Sequence, residues 1–149
     1  MSDNYLRIIP DDPEFVPSLD CERRAVRELS ALVPHAEIEA QRSDRVQFVD
    51  QGGNFERVLC PHCGAEITTT DWQAAMDQAW LGSFADLNFQ TSCCRRSANL
   101  NDLVYERPAG FARFTLEVSG NGLCFLPEEK VGTISEALGC RVRQVMAHY

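Results

Sequence analysis

Residues 111–118 read "FARFTLEV", and their period decides the fold. Ala112, Phe114, Leu116 and Val118 alternate with Arg113, Thr115 and Glu117, the pattern of a half-buried strand. Downstream, "PEEKVGTISEALG" (127–139) places Pro127 near a first helical position, with Glu128 and Glu129 in the first turn. Carboxylates there complement the helix dipole, and Gly139 stands where a left-handed stop is needed. Val131, Ile134 and Leu138 form the helix's apolar face, and "RVRQVMAHY" (141–149) closes the unit as a strand.

The N-terminal third has the same order. "YLRIIP" (5–10) is a short β-branched strand ending at a proline, and "DDPEFVP" is a turn-rich connection. Ser18 is placed as a helix N-cap with Asp20 and Glu22 in the first turn; Val26, Leu29, Leu32 and Val33 make one face, and Pro34 ends it. "AEIEAQ" (36–41) alternates, and "RVQFVD" (45–50) follows after "RSD", which predicts a hairpin or a strand with a bulge. Two strand–helix–strand units predict an α+β fold: a ferredoxin-like split βαβ sheet, antiparallel, with both helices on one side. Residues 50–107 would then be an inserted zinc-ribbon/helix segment within a single domain, 1–149, a length one core can serve.

That central segment carries two cysteine clusters, Cys60 with Cys63 and Cys93 with Cys94. Cys-Pro-His-Cys suits either a thioredoxin-type redox site or half of a zinc site. A redox site opens a long helix, whose N-terminus lowers the first cysteine's pKa. Here Gly64 and then "AEITTTD" follow, a poor helix interior. A glycine after Cys-x-x-Cys suits a metal knuckle, where the chain turns tightly. The second cluster supplies further ligands, so the spacing favours zinc held by Cys60, Cys63, Cys93 and Cys94. If only one of the adjacent pair binds, His62, His35 or His148 becomes a candidate fourth ligand. Four thiolates would make the zinc structural. Between the clusters, Thr70 and Gln73 are spaced as a capping box, and Trp72, Ala75, Met76, Ala79, Trp80 and Phe84 fall on one face, read as core.

The seven cysteines are odd in number, and the N-terminus "MSDNYLRIIPDDPEF" lacks the pattern of a secretory signal. Both argue for metal ligands and buried thiols in a reducing, cytoplasmic setting, with Cys21, Cys124 and Cys140 as ordinary buried thiols. No apolar run approaches the roughly 20 residues of a membrane span. Net charge is −8, which weighs against phosphate-driven nucleic-acid binding and suits a basic protein partner. The local arginine clusters leave a small anion site as an alternative. Neither a phosphate-binding loop nor a dinucleotide or hydrolase motif occurs. "QGGNFE" reads as a turn, and Asn101 and Asp102 as capping residues; His148 would need a carboxylate partner to act as a base. No catalytic residue is indicated.

"FVDQGGNFERVLCPHCGAE", "TSCC", "NLNDLVYE", "GFARFTLEV" and the final "HY" together resemble a family of small bacterial proteins of unknown function that carry a Cys-Pro-x-Cys-Gly half-site and a Cys-Cys pair. The resemblance runs from about residue 5 to the end. It implies a cytosolic, zinc-ribbon-bearing domain with the same four cysteines as ligands, and no reaction. Where that family usually has glycine after the Cys-Cys pair, this chain has Arg95. The function expected is a zinc-stabilised, non-enzymatic binding or regulatory module, an adaptor or immunity-type protein. A zinc-dependent hydrolase and a nucleic-acid-binding zinc ribbon are the alternatives.

Overall fold

The computed structural model describes residues 3–149. Its outer parts are β1 (Asn4–Pro10), α1 (Leu19–Leu32) and β2 (Glu37–Val49), then β8 (Gly110–Ser119), α3 (Glu128–Leu138) and β9 (Val142–His148). Between them lie β3 (Val58–Leu59), β4 (Glu66–Ile67), α2 (Thr69–Leu81), β5 (Asn88–Gln90), β6 (Ser97–Asn99), one 3-10 turn (Leu100–Asp102) and β7 (Val104–Tyr105). The result is a mixed α+β architecture. No helix among the described residues is long and apolar enough to cross a membrane.

The outer strands form one sheet in the order β2-β8-β1-β9, every neighbour antiparallel. Alternation in β1 and β8 puts Leu6 opposite Val118 and Ile8 opposite Leu116. These side chains share a cluster with Phe114 and with Ala25 and Leu29 of α1 and Ile134, Ala137 and Leu138 of α3. The helices therefore cover the same apolar stripe of the sheet. The start signal read at Ser18 and the stop signal read at Gly139 both operate. Ser18 accepts from the Cys21 N–H at 3.2 Å, and Gly139 adopts φ +82° at the end of α3.

Residues 37–49 form one strand, not a hairpin. Its pairing with β8 slips between Arg42 and Gln47, so the bulge reading holds. Beyond the slip, Phe48 faces Phe111 and the strand end serves a second core. That core belongs to the central segment: Val58, Cys60, Trp72, Met76, Phe84, Leu100 and Tyr105 close around Phe111. The period-2 reading put Ala112 in line with Phe114. Instead Ala112 packs with Ile9, Val49 and Val145 in a small third cluster, because β8 is shared between cores at its N-terminal end.

Buried polar groups stitch the central segment to the sheet. Asn101 is 4% exposed; its amide donates to the Asp11 carbonyl and its Oδ1 accepts from the Phe111 N–H, both at 2.9 Å. Arg143 donates to the Asn101 carbonyl at 2.8 Å and to the Asp11 carboxylate at 3.1 Å. Asn101 is thus a bridge; the capping role read for it belongs to Asn99, whose Oδ1 accepts from the Asn101 N–H. "QGGNFE" turns as read. Gly52, at φ +57°, lies so close to the His148 carbonyl that a Cβ would collide with it, and the Gly53 N–H donates to that oxygen at 2.6 Å. The His148 ring meets the Asn4 side-chain oxygen at 2.7 Å. Its partner is thus an amide and not the carboxylate that the sequence reading asked for.

Candidate metal centre

Each cysteine cluster sits at the tip of a short hairpin. Leu59 pairs with Glu66 across the first, and Gln90 with Ser97 across the second. The two tips share a hydrogen-bond pattern. In the first, the Cys60 N–H donates to the Ala65 carbonyl (2.8 Å) and the Gly64 N–H to the Cys60 carbonyl (3.0 Å). In the second, the Thr91 N–H donates to the Arg96 carbonyl (3.0 Å) and the Arg95 N–H to the Thr91 carbonyl (2.9 Å). Gly64 has φ +76° and Arg95 φ +58°. "CPHCGA" and "TSCCRR" therefore adopt equivalent turns. Cys94 takes the place of Cys63, Thr91 that of Cys60, and Cys93 that of His62.

This equivalence answers why adjacent cysteines can serve one site. The second knuckle lacks a cysteine in its first position and carries one in its third. The sulfurs of Cys60, Cys63, Cys93 and Cys94 all lie within 4.8 Å of one another, with Cys63 to Cys93 at 3.4 Å and Cys60 to Cys94 at 3.8 Å. A tetrahedral zinc–sulfur shell, with bonds near 2.3 Å, has edges of about 3.8 Å. The four residues thus fit a divalent metal with thiolate ligands. Sequence reasoning missed Thr91. Aligning "TSCCRR" with "CPHCGA" was the signal that could have found it.

The hydrogen bonding around the sulfurs is uneven. Cys60 is 1% exposed, whereas Cys63 and Cys93 are exposed. Burial raises the Cys60 pKa, but the N–H groups of Cys63 and His62 and the neighbouring thiols outweigh it and bring the value down to about 6. Cys93 is pushed up to about 11, chiefly by its hydrogen bond with Cys63 and then by burial. Binding of a divalent ion by these thiols would release their protons. The Thr91 hydroxyl lies 3.2 Å from the Cys94 sulfur. His62 is no ligand here: its Nε2 meets the Ser97 carbonyl at 2.8 Å and ties one hairpin to the other. His35 is exposed in the segment between α1 and β2.

The hairpins and α2 share one core. Trp72 donates to the Tyr105 hydroxyl at 3.3 Å, which donates to the Leu100 carbonyl at 2.7 Å. The cap of α2 is Thr68, which accepts from the Asp71 N–H, in place of the Thr70–Gln73 box; Gln73 donates to Asp77 instead. Of the face read as core, Trp72, Met76, Ala79 and Phe84 are buried and Ala75 half-buried, but Trp80 is 68% exposed. At 3.6 residues per turn it lies about 80° round from Trp72, past the covered arc. Cys124 is exposed and Cys21 and Cys140 only half-buried, which corrects the reading of all three as buried thiols.

Comparison with protein-family models, with curated proteins and with solved structures returned no match.

Arg95 occupies a backbone region that costs a side-chain-bearing residue about 1–2 kcal/mol. Arg95→Gly is expected to stabilise the protein by about 1 kcal/mol after the entropy glycine gains in the unfolded chain. Urea unfolding of the metal-loaded protein checks this. A lower midpoint would show that the Arg95 side chain holds the turn.

Proposed function

We propose that the protein is a zinc-stabilised, non-enzymatic binding or regulatory module of the cytoplasm, its metal structural and its partner a basic protein. Four cysteine sulfurs at mutual contact leave no coordination position for a reacting water, which favours a structural role over hydrolysis. The observation that carries the binding role is the end of α2, where Trp80 (68% exposed) and Leu81 (79% exposed) stand side by side in solvent. Large apolar side chains of this kind are characteristic of interaction surfaces, Trp above all. Residues 58–94 carry Glu66, Asp71, Asp77 and Asp86 and neither Lys nor Arg, so the surroundings suit a basic partner. Of the clustered arginines, Arg23 pairs with Asp20 and Arg143 with Asp11, which weakens the anion-site reading at those two clusters.

The strand order β2-β8-β1-β9, with the helices on one stripe of the sheet, supports a ferredoxin-like split βαβ frame with residues 50–107 as its insert. The paired knuckles support kinship with the small bacterial proteins that carry Cys-Pro-x-Cys-Gly and a Cys-Cys pair.

The test is affinity capture with the metal-loaded full chain and with its Trp80→Ala/Leu81→Ala variant. A discrete basic protein should be retained by the first and lost from the second, with metal content and thermal midpoint unchanged. Capture indifferent to the variant, or metal-dependent turnover of an ester or phosphoester, would transfer the function to another surface or to the hydrolase alternative.

A further inference from the structure

We infer that Cys93 and Cys63 are a hydroperoxide-reactive pair whose oxidation releases the metal and loosens the central segment. The inference rests on the zinc reading above and adds a modification site to it. Two features of the site divide its sulfurs into an inner and an outer pair. The inner pair is Cys60, buried and bonded by the His62 N–H at 3.4 Å, and Cys94, half-buried and met by the hydroxyl of the buried Thr91. Hydrogen bonds to a thiolate draw off charge and make it a poorer nucleophile. The outer pair is Cys63 and Cys93, both exposed and only 3.4 Å apart. Exposure, an adjacent resolving thiol and thiolate character together make a cysteine redox-responsive.

The displaced second knuckle explains why an outer pair exists. In a regular knuckle the first ligand occupies the Thr91 position, inside the turn, as Cys60 does. Here that ligand has moved to the Cys93 position, on the outside. A metal keeps both outer sulfurs as thiolates, the form that attacks. The Cys93 sulfur attacks the terminal oxygen of the hydroperoxide: an S–O bond forms, the O–O bond breaks, and the leaving alkoxide or hydroxide takes a proton. The Cys63 sulfur then attacks the sulfenic sulfur and expels hydroxide, which leaves as water. The two thiolates lose two electrons in all and the peroxide gains them. Disulfide sulfurs are weak ligands, so Cys60 and Cys94 alone would be left to hold a bound metal, and it would be released.

The experiment treats metal-loaded full chain with hydrogen peroxide beside a chromogenic zinc indicator, with metal content measured beforehand and disulfides mapped afterwards. One zinc should be lost for each Cys63–Cys93 disulfide formed, and reductant plus zinc should reverse the loss. A Thr91→Cys/Cys93→Ser variant restores a regular second knuckle with four thiolates; it should hold its metal and release it more slowly under peroxide. Zinc retained under peroxide, or a Cys60–Cys94 or Cys93–Cys94 disulfide in the natural chain, overturns the inference whatever the variant does. Protein that holds no metal before peroxide is added overturns the zinc reading beneath it.

Discussion

Stripping the metal from the purified protein is expected to release residues 58–105 from their folded state while the four-stranded sheet survives. The strands of that segment are two or three residues long, too short to hold together through their own ladders. Its two hairpins meet at the four sulfurs, and α2 is slung between them. The free energy at stake is on the order of 10 kcal/mol, the scale of structural zinc in small folding units. Part of it will be offset by the shared apolar core. Hydrogen exchange with and without a chelator reads the result residue by residue. Amides of β3 to β7 should lose protection by orders of magnitude, while those of β1 and β8 keep most of theirs. Cys60→Ser should reproduce the pattern without chelator. Equal protection in both states would mean that the apolar core alone holds the segment.

Phe111→Ala is expected to cost about 3–5 kcal/mol and to weaken both parts of the molecule together. Phe111 is wholly buried, with ring centroids 5.1 Å from Phe48 of the long bulged strand and 5.3 Å from Phe84 just beyond α2. Its N–H is held by the Asn101 side chain, which also grips the Asp11 carbonyl. One ring therefore fills the junction where the sheet ends and the segment with the cysteine cluster begins. Removing it leaves a cavity that neither core can close by shifting independently. Urea unfolding followed by tryptophan fluorescence, whose change comes chiefly from the buried Trp72 and less from the exposed Trp80, and by far-ultraviolet dichroism should show one lowered midpoint. A loss below about 1 kcal/mol would mean that the two cores are not coupled through Phe111.

The outer frame was legible because its signals are local and repeated. Alternation in "FARFTLEV", the cap at Ser18 and the glycine stop at 139 each act within a few residues, and each operates in the structure. The shift of Ala112 and the role of Phe111 were not legible. Both depend on a slip in pairing between strands some 70 residues apart, which no local period records. Asn101 was misassigned for the same reason: its partners, Asp11 and Phe111, come from other parts of the chain. Trp80 lay within the arc that helical spacing allows but outside the arc that neighbours cover, and only packing draws that line. The four cysteines could be singled out by spacing and by exclusion of a redox helix. How a Cys-Cys pair replaces a Cys-x-x-Cys could not, because the answer lies in backbone hydrogen bonds that set Thr91 in the place of a cysteine.

In the function proposed for this protein, four thiolates fill the shell of one zinc ion. X-ray absorption at the zinc edge, on protein purified without an affinity metal, tests it most directly. The expected result is one zinc per chain with four sulfurs at about 2.3 Å and no oxygen. Three or fewer sulfurs with an oxygen in the shell would contradict it and return the site to the hydrolase reading.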